Sequence, residues 1–220
     1  MNNIKNRLIS SDVKLFHLLN IKPNCPRCTK ALTFITHLGG KEFSTSIPLY
    51  FILIALFTGE KETLLYGVEI ALSLFISHLL IHIIKRKTNR SRPYEDIAET
   101  KQFIIPLEGY SFPSGHTTAS FAMATTLALL FPFLKLLFFT LALFVGISRI
   151  HLGVHYPSDV IIGSFIGSIF SYIVHIIYFI WDIIKKLKFS LDERVNLYYN
   201  NFCSIERGPI AQSGQSNRLI

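Results

Sequence analysis

Five apolar runs decide what this chain can become. They are Phe43–Thr58, Thr63–Ile84, Thr117–Phe131, Leu134–Ile150 and Ser158–Ile184, parted by polar breaks or a proline. In hydrocarbon a backbone must satisfy its own amide groups, and a helix does this within one segment. At about 1.5 Å per residue, some 20 residues cross the roughly 30 Å hydrocarbon core. The runs predict an all-α, integral-membrane helical bundle of about five transmembrane helices. Composition agrees: 50% of residues are hydrophobic and 16% charged, against about 25% charged in a typical soluble domain.

The rest of the chain falls into two flanks. Residues 1–42 are basic and mixed, and read as an N-terminal interfacial segment. Asp12–Leu19 carries an apolar set that suits a short interfacial helix, broken by Pro23 and Pro26. Residues 28–38 form a second short piece, stopped by Gly39-Gly40. No secretory signal peptide is evident, because the first 20 residues lack a clean apolar core. Residues 185–220 form a polar tail, helical at first and then disordered. Lys185, Lys186 and Lys188 end the last apolar run.

The net charge of +8 suits contact with anionic lipid or an anionic substrate. Nucleic acid is an unsuitable partner, because the basic residues flank apolar spans instead of lining a polar domain. Cys25-Pro-Arg-Cys28 has redox-like or zinc-like spacing, but no second pair lies near it. Two ordinary thiols or a local disulfide is the preferred reading. Small residues recur every four positions in two runs: Ser120, Ala124 and Ala128, then Gly163, Gly167 and Ser171 in register with Asp159. That spacing lets helices approach closely in lipid.

Ionisable groups set against apolar spans are costly and point to function. Three clusters stand there. The first is Lys85–Pro93, which caps the second run; Lys85 and Arg92 are placed to clamp phosphate oxygens. His78 lies seven residues before Lys85, on the same helix face. The second is Pro113-Ser114-Gly115-His116, a helix start with Ser114 as N-cap. Such an end binds anions, Gly115 allows close approach, and His116 can protonate a leaving oxygen. The third is Ser148–Asp159, which reads either as a loop whose charges face water between two spans or as a site where Arg149 would bind an anion, His155 act as nucleophile and Asp159 orient it. His151 reads as a hydrogen-bonded residue outside the chemistry. Alternating crossings put all three clusters on one membrane side.

Lys85 with six residues before Arg92-Pro93, then Pro113-Ser114-Gly115-His116, then Ser148-Arg149 with five residues before His155 and three more before Asp159, resembles the type 2 phosphatidic acid phosphatase (PAP2) superfamily. The match lies within residues 85–159. The resemblance implies a PAP2/haloperoxidase-like core over residues 43–184. It implies that His155 attacks phosphorus, that Asp159 assists it, and that His116 is the acid. Lys85, Arg92, Ser114, Gly115 and Arg149 would hold the phosphoryl oxygens. No metal and no cofactor are implied. The expected function is a membrane lipid phosphatase, with a lipid phosphate as substrate and the bilayer as surroundings. Compact bacterial members suggest undecaprenyl diphosphate or phosphatidylglycerophosphate, with phosphatidic acid as a third candidate. The rivals are a vanadate-dependent haloperoxidase and a non-catalytic phospholipid binder or transporter. With the phosphate-binding cations discounted, the three lysines put the tail in the cytoplasm and the site outside.

Overall fold

A computed structural model describes residues 2–21, 25–104 and 109–206. Helix α1 (Asn2–Phe16) passes into a π-helical turn at His17–Ile21, and α2 (Pro26–Ile35) into a 3-10 turn at Thr36–Gly39. Pro23 lies outside the described residues. Three longer helices follow, α3 (Lys41–Thr58), α4 (Lys61–Thr88) and α6 (Gly115–Leu130), with the single turn α5 (Pro93–Asp96) between the second and third. The last two are α7 (Lys135–His151) and α8 (Pro157–Glu206). Among the described residues there is no strand.

Helix ends fall where local chemistry stops them. Gly59 adopts a left-handed φ of 73° and closes α3 through its amide to the Ala55 carbonyl at 2.9 Å. Asn89, at φ 45°, does the same for α4, as a short polar side chain permits.

Four of the five expected spans are long and apolar enough to cross a membrane: Lys41–Thr58, Lys61–Asp96, Pro132–His151 and Pro157–Phe202. The chain is a multi-pass membrane protein. The third apolar run differs, since its helix α6 has 16 residues. It packs against α4 and α7, and nine of its residues, mostly Thr, Ala and Ser, are buried. A helix walled by other helices needs no long lipid-facing coat. Ile70 and Leu74 of α4 meet Ala119, Ala122 and Met123 of α6 in the main core cluster.

Helix α8 packs on α6 through its small residues. A Cβ on Gly163 would come within 2.8 Å of the Ser114 carbonyl, and one on Gly167 would run into the backbone of Thr118 and Ala122. The glycines therefore bring the head of α6 against the first turn of α8, where Asp159 sits. Beyond Ile184 helix α8 continues to Glu206, because no glycine or proline interrupts the chain between Gly167 and Gly208. The membrane boundary at Lys185 is thus not a helix boundary. The last 14 positions of the tail, 207–220, lie outside the described residues. By contacts the chain divides into residues 1–175 and 176–220.

The N-terminal flank is packed onto the bundle. Phe16 is fully buried against Ile150 and Tyr156, a burial that contributes roughly 1.5–3 kcal/mol. Asn20 donates to the carbonyls of Lys101 (2.8 Å) and His151 (2.7 Å) and accepts from the Lys101 amide.

Candidate active site

The three clusters meet at one end of the bundle. The Ser114 amide donates to the Asp159 carbonyl at 3.0 Å, which ties the start of α6 to the start of α8. Arg92 of the first cluster donates to the Val154 carbonyl, beside His155, at 3.1 Å, and to the Gly109 carbonyl at 3.0 Å. Lys85, in the last turn of α4, donates to the Tyr110 carbonyl at 2.5 Å. It lies within electrostatic reach of Arg92, Asp159 and Arg149.

His155 sits in the link between α7 and α8 and is 2% exposed. Its Nδ1 is 3.5 Å from Asp159 Oδ2, beyond ordinary hydrogen-bond length by about 0.5 Å. Its Nε2 is 3.5 Å from the Arg92 guanidinium. Burial pushes the imidazole down to about 3; Asp159 raises it, while Arg149 and Arg92 lower it. The ring is therefore neutral near pH 7. With Nδ1 toward a carboxylate, the proton belongs on Nδ1 and the lone pair on Nε2. A neutral Nε2 facing guanidinium groups can attack an electrophile whose oxygens those groups hold.

Asp159 is fully buried and braced on both oxygens. Its Oδ1 accepts from Arg90 at 2.7 Å. Its Oδ2 accepts from the Tyr156 amide at 2.8 Å and from the Ser111 hydroxyl. Arg90 reaches further. It donates to Asp12 Oδ2 of α1 at 2.6 Å and to Ser158 Oγ at 2.7 Å, and lies 4.0 Å over the Tyr156 ring. Asp12 in turn accepts from the Ser158 amide at 2.8 Å. A chain of charges thus runs Asp12–Arg90–Asp159 and ends at the neutral His155.

Arg149, in the last turn of α7, is 1% exposed. One guanidinium nitrogen donates to Thr36 Oγ1 at 2.8 Å, while Nε and the other terminal nitrogen are buried without a partner. A buried cation with unanswered donors is costly until an anion meets it. Ser114 is the N-cap of α6 by position, yet its hydroxyl makes no cap bond and instead accepts from Thr117 Oγ1 at 2.9 Å. The first amides of a helix have no intrahelical acceptor, so this end faces the site as an anion receptor. Gly115 and His116, the first two residues of α6, line a cavity with Lys85. His116 lies within electrostatic reach of Arg149 and His155.

His151 stands apart, as expected. Its Nδ1 donates to the Leu19 carbonyl at 3.0 Å, its Nε2 meets Thr29 Oγ1 at 2.9 Å, and its ring stacks on Phe103. Cys25 and Cys28 form a disulfide at the start of α2. The bracing residues Asp12, Arg90, Ser111 and Thr36 were not anticipated from sequence. Asp12 did leave a trace: it is the single acidic residue among the first 30, beside six Lys and Arg.

A buried arginine with open donors beside a neutral imidazole, in a membrane bundle, fits the handling of an oxyanion. The PAP2 superfamily model matches residues 66–182. Lipid A 1-phosphatase of Rhizobium etli is 36% identical over 126 residues, covering 55% of this chain and 54% of that protein. The chain thus spans about half the length of that relative. Undecaprenyl-diphosphatase of Sulfolobus acidocaldarius is 30% identical over 166 residues, covering 75% of this chain and 77% of that protein. The crystal structure of a transmembrane PAP2-type phosphatidylglycerolphosphate phosphatase from Bacillus subtilis superposes with a TM-score of 0.64 at 26% identity, covering 77% of this chain and 85% of that one. The chain belongs to the PAP2 superfamily.

Proposed function

We propose that this protein is a membrane lipid phosphatase that works through a phospho-histidine, without a metal ion. The observation that carries the reading is Arg149: two of its buried donors lack any partner, next to a neutral, buried His155. The phosphoryl oxygens of a lipid fill that gap, joined by Lys85, Arg92, the Ser114 hydroxyl and the Gly115 amide. Held cations and amides supply the charge neutralisation that a metal gives elsewhere.

His155 Nε2 attacks phosphorus, the P–N bond forms and the P–O bond to the lipid breaks. Burial and Arg149 favour the neutral form of His116; the arriving phosphate anion offsets both, so His116 takes up a proton and gives it to the departing oxygen. The neutral His116 then takes a proton from water as the water oxygen attacks phosphorus, so that a P–O bond forms and the P–N bond to His155 breaks. Phosphate leaves and His155 is restored. Asp159 stabilises the cationic phospho-imidazole.

Undecaprenyl diphosphate and phosphatidylglycerophosphate are the substrates favoured by the relatives' names. The site faces the extracytoplasmic side. Lys185, Lys186 and Lys188 support this, as does the Cys25–Cys28 disulfide. That disulfide opens the helix whose Thr29 contacts His151, and disulfides persist in oxidising compartments. A reporter fused after Ile220 should be active only in the cytoplasm; activity only outside reverses the orientation.

The test of function is phosphate release by detergent-purified protein in EDTA. The panel is undecaprenyl diphosphate, phosphatidylglycerophosphate and phosphatidic acid. Release that depends on His155 is expected. Binding of these lipids with no release makes the protein a phospholipid carrier.

A further inference from the structure

The family motifs account for one phosphoryl group, but the cavity at His116 is built for more. It measures ≈ 210 Å³ and is lined by Lys41, His78 and His82 as well as Lys85, Gly115 and His116. The first three belong to none of the three sequence clusters. Lys41 is the first residue of α3. His78, His82 and Lys85 follow one another at i, i+4 and i+7 along α4, so they share a face. Lys41 lies within electrostatic reach of His78. His78 is fixed, because its Nδ1 donates to the Leu74 carbonyl at 3.1 Å. Among the described residues no carboxylate lines this cavity. Lys41 and Lys85 both line it; two cations on one cavity repel one another, and an anion relieves that repulsion.

The cavity also has a direction. Lys41 and His78 line a second hollow of ≈ 510 Å³ between α3 and α4, whose walls include Leu49, Ile52, Leu74 and Phe75. The basic chamber and the apolar groove thus share Lys41 and His78 as a common wall.

We infer that Lys41, His78 and His82 form a second phosphate subsite, so that the substrate carries two phosphoryl groups. The terminal phosphoryl lies at His155 and Arg149. The inner phosphoryl lies against Lys41, His78 and His82, with Lys85 between the two, and the hydrocarbon chain leaves along the α3–α4 groove. His116 then stands at the oxygen that departs with the inner phosphoryl group. The two phosphoryl groups are joined directly in a prenyl diphosphate, or across a glycerol in phosphatidylglycerophosphate. Phosphatidic acid and a prenyl monophosphate lack the inner group. This inference rests on the phosphatase reading of the same site.

The test compares kcat/KM for pairs that differ in the inner phosphoryl group: farnesyl diphosphate against farnesyl phosphate, and phosphatidylglycerophosphate against phosphatidic acid. The variants are Lys41→Ala/His82→Ala and His78→Gln. Loss of charge-assisted bonds to phosphate should lower kcat/KM for the two-phosphate member about tenfold more than for its partner in the double variant. A preference lost only in the farnesyl pair, or only in the glycerol pair, identifies which linkage the subsite fits. A parallel fall on both members of each pair, or no fall on either, overturns the subsite.

A second measurement needs no turnover. Calorimetry on His155→Ala protein compares methylenediphosphonate with methylphosphonate. The diphosphonate should bind about tenfold tighter or more, and adding Lys41→Ala/His82→Ala should erase the difference. Equal binding of the two overturns the subsite. If the wild type releases phosphate from no lipid, the phosphatase reading fails, while this binding comparison still decides the subsite.

Discussion

Two histidine–carboxylate pairs stand among the described residues, and they are built in opposite ways. His175 on α8 meets Glu69 on α4 directly, at 2.8 Å. The second Glu69 oxygen is buried without a partner. His155 and Asp159 stand 3.5 Å apart, yet both Asp159 oxygens are held by other donors, from Arg90, Ser111 and the Tyr156 amide. One pair is tight and unsupported; the other is loose and braced on every side. Glu69 and His175 each lie 16 residues along their helix from Lys85 and Asp159, about 24 Å away. A pair that only joins two helices gains by closing. A pair that serves a histidine passing through a cationic phospho-state needs its carboxylate positioned independently of that histidine.

The sharpest way to break this comparison is to remove each histidine. His155→Ala should lower phosphate release by about 10⁴-fold or more, with folding and membrane insertion unchanged. His175→Ala should keep the rate per folded molecule within about threefold. Comparable losses from the two would erase the distinction. Stability should show the reverse preference: His175→Ala leaves the buried Glu69 carboxyl without a bond to either oxygen and should destabilise the protein by about 2 kcal/mol, read as a lower melting temperature in detergent. A loss of turnover in the folded fraction would instead move this pair into the chemistry.

Bracing is tested next. Arg90→Ala should reduce kcat about 100-fold with KM little changed, because Asp159 loses its fixed position and the phosphate ligands stay. Arg90→Lys should restore part of the rate, and Asp12→Asn should cost less, about tenfold. An Arg90 effect confined to KM would place that guanidinium on the substrate instead.

The smallest effect concerns pH. His155 is held neutral down to about 3 when folded, against about 6.5 in an unfolded chain. Between those values the unfolded chain binds a proton that the folded ring does not. Stability from this group is therefore complete above pH 6.5 and falls as pH drops through the window. His155→Gln should lose less melting temperature between pH 7 and pH 4.5 than the wild type does. Equal losses would mean that His155 takes up its proton in the fold.

Most of the pocket could be read from sequence because its ligands travel in short motifs. Arg92-Pro93, Ser114-Gly115-His116 and His155 with Asp159 four residues on each fix local geometry on their own. The four-residue glycine spacing likewise foretold how α8 seats on α6. The braces were hidden because they are long-range. Arg90 and Asp159 are 69 positions apart, Ser158 and Asp12 are 146, and Arg149 and Thr36 are 113. Within Lys85–Pro93, nothing local separates the arginine that holds Asp159 from those that would face lipid or phosphate. The second basic chamber was half visible: His78 and Lys85 were placed on one face, but Lys41 joins them from another helix. The length of α8 was hidden for a different reason. Hydropathy marks where a membrane ends, and only a helix breaker marks where a helix ends.

The central claim is that phosphorus passes through His155. The direct measurement is to quench the enzyme during turnover with lipid labelled in its terminal phosphate, at alkaline pH where a phosphoramidate survives, and to map the labelled peptide. The account predicts an acid-labile phosphate on the peptide containing His155, absent in His155→Ala, which also releases no phosphate. Phosphate release that continues in His155→Ala, or a label on any other residue, would contradict it.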